Sequence, residues 1–94
     1  MAAPISQTIY YRNTVQFQCL ARAIPTDIQY NWQFNGTPVN TSDPRININV
    51  QNGTVLTITD VNQYDAGRYS CMPINSIGAG PLVAATLVVL CKFP

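Results

Sequence analysis

The sequence predicts an all-β protein built as a two-sheet sandwich. Three observations carry the prediction. Apolar side chains recur with period two almost everywhere along the 94 residues, as in strands with one buried and one wet face. Turn-forming residues interrupt that alternation at short intervals. Two cysteines and the one tryptophan fall at inward positions of three different predicted strands.

The elements follow in order. Pro4 stands near the first strand, where its missing amide donor suits an edge. Val15, Phe17, Cys19 and Ala21 alternate with Gln16, Gln18 and Leu20. Residues 23–27, with Pro25 and Asp27, separate this strand from the next. There Ile28, Tyr30, Trp32 and Phe34 alternate with Gln29, Asn31 and Gln33. Asn35-Gly36 tolerates positive φ and predicts a hairpin into a short strand holding Pro38. Ile46, Ile48 and Val50 alternate with Asn47 and Asn49, and Asn52-Gly53 is a second hairpin signal. Leu56 and Ile58 alternate with Thr57 and Thr59. Tyr69 and Cys71 alternate with Arg68, Ser70 and Met72. The loop from Asn75 to Gly80 leads to Ala85, Leu87 and Val89, which alternate with Thr86 and Val88. No run of ten residues carries a helical stripe. Seven or eight short strands with frequent turns predict one sandwich.

Composition narrows the function. A chain of 94 residues and 10.3 kDa makes a single domain over 1–94. Met1-Ala2-Ala3 reads as an added start and residues 91–94 as a linker, so the chain reads as a piece of a longer protein. Histidine is absent, so no Ser-His-Asp or Cys-His nucleophile can be assembled. Three cysteines alone make a poor closed zinc site. The net charge is +1 and the five basic residues are scattered, which argues against nucleic acid. The longest apolar run, residues 82–90, is far short of the roughly 20 residues of a membrane-spanning helix. No cofactor is implied.

Trp32 follows Cys19 by 13 residues and Cys71 follows it by 52. A disulfide crossing the two sheets with an indole packed on it explains this spacing, and closing such a loop is worth roughly 4 kcal/mol in the chain-entropy model. Cys19…Trp32…Leu56-Thr57-Ile58…Asp65-x-Gly67-x-Tyr69-x-Cys71 resembles the immunoglobulin superfamily. Asn75-x-x-Gly78 and Ala85-x-Leu87-x-Val89 are similar to the last loop and strand of its I-set. The resemblance implies a Greek-key sandwich with strands A, B, C, a short C′, D, E, F and G. Tyr69, two residues before Cys71, is placed to send its hydroxyl to upstream backbone. Gly67 permits a tight corner. Arg45 is placed to reach Asp65 in a partly buried ion pair at the bottom of the sandwich. Where many I-set domains carry glycine two residues before proline, this chain has Ala23 before Pro25.

Asn35, Asn40 and Asn52 head three N-x-Ser/Thr sequons at predicted turns. Such triplets also arise by chance in a chain rich in Asn and Thr, but with so few charges they point to extracellular glycans as a solubilising layer. Cys91 is left over: an intermolecular or inter-domain bridge and an unpaired thiol both fit. Asp60 and Asp65 lie near one corner with nothing nearby to complete a glycosidase or calcium site. Gly78-Ala79-Gly80 lies between strands and lacks the helix N-terminus of a phosphate cradle. The outward residues Asn31, Gln33, Arg68, Met72, Thr86 and Val88 form the candidate protein-binding face, with Met72 and Val88 expected as its exposed apolar patch. The alternative is an ordinary solvated face.

The expected function is non-catalytic protein–protein recognition in the ectodomain of a multi-domain adhesion molecule or receptor. Its partners would be another protein, the same or different, and neighbouring domains. The rival is a structural I-set domain of a cytosolic muscle or cytoskeletal array, with Cys19 and Cys71 reduced. A secreted enzyme domain is the weaker rival.

Overall fold

A computed structural model of the chain describes residues 4–20, 28–48 and 54–90. Within them run β1 (Gln7–Tyr10), β2 (Val15–Gln18), β3 (Gln29–Phe34), β4 (Thr37–Pro38), β5 (Ile46–Ile48), β6 (Val55–Ile58), a 3-10 turn (Gln63–Asp65), β7 (Gly67–Ile74) and β8 (Val83–Leu90). Ala21, Ala23, Pro25, Asn49, Val50, Asn52-Gly53 and Cys91, all used in the sequence reading, lie outside the described residues.

The strands form a five-stranded sheet, β1-β8-β7-β3-β4, and a three-stranded sheet, β2-β6-β5. The chain changes sheet between β2 and β3 and again between β6 and β7, as the Greek-key expectation requires. All pairings are antiparallel except β1 with β8, which run parallel from Gln7↔Leu87 to Tyr10↔Leu90. The Ser6 hydroxyl accepts from the Thr86 amide at 2.9 Å and extends this ladder beyond its first residue. Pro38 sits in β4, at one edge of the large sheet. Between β3 and β4, Asn35 (φ 50°) and Gly36 (φ 87°) both adopt positive φ, the geometry a tight two-residue hairpin demands.

The inward rows meet in one core. Val15, Phe17 and Cys19 come from the β2 side, Leu56 and Ile58 from β6, Trp32 from β3, Tyr69 and Cys71 from β7, and Ala85 and Leu87 from β8. Cys19 and Cys71 are bonded across the two sheets with Cα atoms 6.5 Å apart. Trp32 is 2% exposed, and the register puts it directly opposite Cys71. The Tyr69 ring stacks on Phe17 at 5.1 Å and meets Phe34 at 4.8 Å, so three aromatic rings tie β2, β7 and β3 together.

The 3-10 turn has no counterpart in the sequence reading. Its signal is the Asn62-x-x-Asp65 spacing. The Asn62 side chain accepts from the Tyr64 amide at 2.8 Å, and the Asp65 carboxylate accepts from the Asn62 amide at 2.8 Å. That box fixes Asp65 just where β7 begins.

Candidate functional site

Two clusters of polar side chains stand out, one closing an end of the sandwich and one on the outer face of the large sheet. In the first, Arg45 precedes β5 and turns its guanidinium toward the 3-10 turn. Nη1 donates to Asp65 Oδ2 at 2.8 Å and Nη2 to Asp65 Oδ1 at 3.1 Å, a two-pronged contact. Nη2 also reaches Asp43 Oδ2 at 3.1 Å, and Nη1 the Asp60 carbonyl at 3.0 Å. The Arg45 and Asp65 side chains are 25% and 10% exposed. Asp65 holds Arg45 protonated well above its ordinary value, and the Arg45 amide and guanidinium together lower the Asp43 carboxyl. The Tyr69 hydroxyl donates to the Asp65 carbonyl at 2.6 Å. Burial, then the Asp65 charge, raises the Tyr69 phenol far above its usual range. These groups satisfy one another and leave no group placed to attack a substrate. Asp65 is committed to Arg45, so the Asp60 and Asp65 carboxylates do not act as a pair. No three His, Cys, Asp or Glu side chains among the described residues could hold a metal ion together.

The second cluster is set by register. Gln33, Ser70 and Ala84 lie abreast on β3, β7 and β8, with Arg68↔Thr86 and Asn31↔Met72 on either side. Ser70 points outward by parity yet is only 4% exposed, set between Gln33 and Ala84 on the flanking strands. An open depression of about 470 Å³ lies on this face, lined by Gln33, Asn35, Gly36, Arg68, Ser70 and Leu82. Among the described residues, neither the Ser70 hydroxyl nor the Arg68 guanidinium makes a hydrogen bond or ion pair. The Arg68 amide donates to Asn35 Oδ1 at 2.9 Å, and the Asn35 amide to the Arg68 carbonyl at 2.8 Å. The hairpin turn is thereby fixed to the rim.

The structure brings Gln33 and Arg68 to one site but separates Met72 from Val88. Met72 is half-buried, and its cross-strand partner is Asn31. Val88 is 45% exposed and pairs with Thr8 at the β1 edge. The β7–β8 register puts Val88 level with Ala66, six residues from Met72, or about 20 Å along the strand. The expected joint apolar patch therefore does not exist: period-two parity puts residues on a face but does not say which ones are neighbours. The sequence reading assigns neither Ser70 nor Leu82 to this site, and it reads Asn35-Gly36 as a turn without placing it on the rim.

Of the sequon residues, Asn35 sits on the rim of the depression. Asn40 lies in the turn after β4, where its Oδ1 accepts from the Ser42 amide at 3.1 Å. Both are exposed, and in both the carboxamide oxygen carries the contact, so among the described residues the nitrogen that would bear a glycan makes no hydrogen bond. Among the described residues, no helix is long and apolar enough to cross a membrane.

A family model described as immunoglobulin domain matches residues 2–75. Protein turtle homolog B of Rattus norvegicus is 29% identical over 90 residues, which is 95% of this chain and 7% of that protein. The N-terminal Ig1-2 module of the Drosophila receptor protein tyrosine phosphatase DLAR superposes with a TM-score of 0.83 at 30% identity, over 95% of this chain and 43% of that one. The titin domains z1z2 in complex with telethonin also give a TM-score of 0.83, at 26% identity over 96% of this chain and 46% of that one. This chain thus spans less than a tenth of the full-length relative and under half of the two solved fragments.

Proposed function

The chain belongs to the immunoglobulin domain family, and on that premise we propose that it is a non-catalytic recognition module in the ectodomain of a cell-surface receptor or adhesion molecule, binding another protein through the outer face of β3, β7 and β8. The observation that carries the reading is the open depression on that face, whose Arg68 and Ser70 side chains have no hydrogen-bond or ion-pair partner among the described residues. A structural spacer has no use for an open cluster of mainly donor groups, whereas a binding surface does. The rigid sandwich presents those groups with little ordering cost.

The location rests on the Cys19–Cys71 bond, which persists in oxidising compartments, and on the sparse charge. The likeness to the N-terminal Ig1-2 module of a receptor protein tyrosine phosphatase supports it as well. The titin likeness favours the rival, a cytosolic array domain with both thiols free. Asn40 lies off the recognition face and suits a glycan. A glycan on Asn35 would lean over the depression, so the reading expects sugar there to weaken binding.

One experiment tests both points. The segment is secreted from mammalian cells, clustered as a pentamer and arrayed against purified ectodomains, itself included. The expected result is glycosidase-sensitive mass, no free thiol at Cys19 or Cys71, and saturable binding to at least one ectodomain. That binding disappears when a glycan is placed on the face by Thr86→Asn with Val88→Thr. Binding that survives the added glycan refutes the face. A protein equally stable and soluble with both thiols reduced favours the cytosolic array.

A further inference from the structure

We propose that the depression over Ser70 seats one carboxylate side chain, an aspartate or glutamate, of the protein bound by this face. The inference rests on the face being the recognition surface and names what it recognises. Its first support is the donor balance. Arg68 offers five N–H groups, Ser70 a hydroxyl and Gln33 an amide, while the Asn35 oxygen is already taken by the Arg68 backbone. Donors therefore outnumber the acceptors, which are the Gln33 carboxamide oxygen and the Ser70 hydroxyl, and the lining calls for a ligand that mainly accepts.

The second support is charge. Arg68 is the one ionisable residue of the lining, and among the described residues it has no ion-pair partner. A partner surface that covered Arg68 without an anion would bury an unpaired cation, which is strongly unfavourable. A carboxylate restores the balance and matches the guanidinium fork in two parallel hydrogen bonds. Ser70, 4% exposed and without a hydrogen-bond partner among the described residues, lines the depression beside Arg68 and can donate a further bond. A phosphate brings nearly twice the charge to a site with a single cation. Sugars usually stack on aromatic rings, and none lines this depression. Leu82, 46% exposed at the margin, instead offers an apolar edge for the methylenes of an acidic side chain.

The test uses the ¹⁵N-labelled domain made without glycans, titrated with N-acetyl-glutamate N-methylamide and with its glutamine isostere. The glutamate probe should shift the Gln33, Arg68 and Ser70 amides saturably in the tens of millimolar, at least fivefold more tightly than the neutral isostere. Arg68→Gln should abolish the difference and Ser70→Ala reduce it by a factor of a few, both with the remaining spectrum unchanged. Equal response to the two probes, or a response retained in Arg68→Gln, overturns the seat. So does tighter binding of inorganic phosphate or N-acetylneuraminic acid, which would assign the site to those ligands. In the ectodomain array, Arg68→Gln should lower affinity at least tenfold. If the Thr86→Asn glycan blocks binding there while Arg68→Gln leaves it intact, the face stands and the seat falls. If neither change matters, the face itself is wrong.

Discussion

Replacing Gly67 by alanine should be among the most damaging single-methyl additions this domain can receive. Gly67 opens β7 at φ +149°, a backbone conformation that residues with a side chain rarely adopt and that costs them about 1–3 kcal/mol. An added Cβ would stand 2.7 Å from Asn35 Oδ1, 2.8 Å from Phe34 Cε1 and 2.9 Å from Asn35 Nδ2. Comfortable heavy-atom contacts are about 3.5–4.0 Å. Relief requires Asn35 to swing away from the Arg68 amide, at about 1 kcal/mol. It also requires Phe34 to slide off the Tyr69 ring, at about 0.5–1.5 kcal/mol. The sum is about 2.5–5.5 kcal/mol, a large part of the stability of a domain this size. Two other glycines separate the contributions. Gly36, at φ +87° with no atom within 4 Å of its would-be Cβ, should lose only the backbone part, about 1–2 kcal/mol. Gly78, with open space and no positive φ, should change by less than about 0.5 kcal/mol. Urea unfolding of the oxidised protein, followed by Trp32 fluorescence, should rank the midpoints Gly78→Ala, Gly36→Ala, Gly67→Ala in falling order. Adding Asn35→Gly to Gly67→Ala should recover about 1 kcal/mol by clearing the crowded side chain. If Gly67→Ala is no worse than Gly36→Ala, the close approach carries no energy and the reasoning fails.

Arg45→Ala leaves Asp65 and Asp43 without their shared cation and should cost about 2–3 kcal/mol in thermal or urea unfolding, below the fully buried range because both partners keep some solvent. Arg45→Lys should recover less than half of that, since one ammonium cannot serve both Asp65 oxygens, Asp43 and the Asp60 carbonyl together. Tyr69→Phe removes the hydrogen bond to the Asp65 carbonyl and should cost about 1–2 kcal/mol at neutral pH. Because the folded-state phenol titrates above its unfolded value, its contribution is intact below pH about 10 and declines as the pH rises beyond it. A stability–pH profile should therefore fall above pH 10 in the parent and fall less in Tyr69→Phe. Trp32→Ala empties a large core position and should cost roughly 3–5 kcal/mol. A midpoint shift under about 1 kcal/mol would mean that the indole does not fill the core beside the disulfide.

The parts of this molecule that could be read in the sequence are those fixed by parity and short-range geometry. Alternation assigns Cys19, Trp32, Tyr69 and Cys71 to one interior because each strand has only two faces. Asn35-Gly36 announces its turn because few residue pairs accept two consecutive positive φ values. Arg45 and Asp65 are twenty residues apart, but the framework resemblance brings them to one end. Ser70 escaped because its burial belongs to no strand alone; it arises where Gln33 and Ala84 come abreast of it, and only the register creates that overlap. Met72 and Val88 failed together for the same reason, being equally outward but about 20 Å apart. β1 was marked only by Pro4, since its parallel pairing with β8 leaves no turn signal. The 3-10 turn is too short to show a period.

On the proposed reading, strand β7 divides stability and recognition between its two faces. Inward, Tyr69 and Cys71 are held by a hydrogen bond, ring stacking and a disulfide. Outward, the Arg68 and Ser70 side chains make no hydrogen bond or ion pair among the described residues. A slip of one residue would turn both rows over, and the register is pinned at its start by Gly67 pressed against Asn35 and by the Arg45–Asp65–Tyr69 cluster. The position of the Arg68 fork relative to Ser70 is therefore inherited from interactions inside the sandwich. The outer row can change its chemistry at small cost to folding, while a partner meets donors whose backbone is already fixed. Affinity at such a surface draws on that preorganisation as much as on the contacts themselves, so loosening the cluster at the start of β7 weakens recognition without altering a single residue that the partner touches.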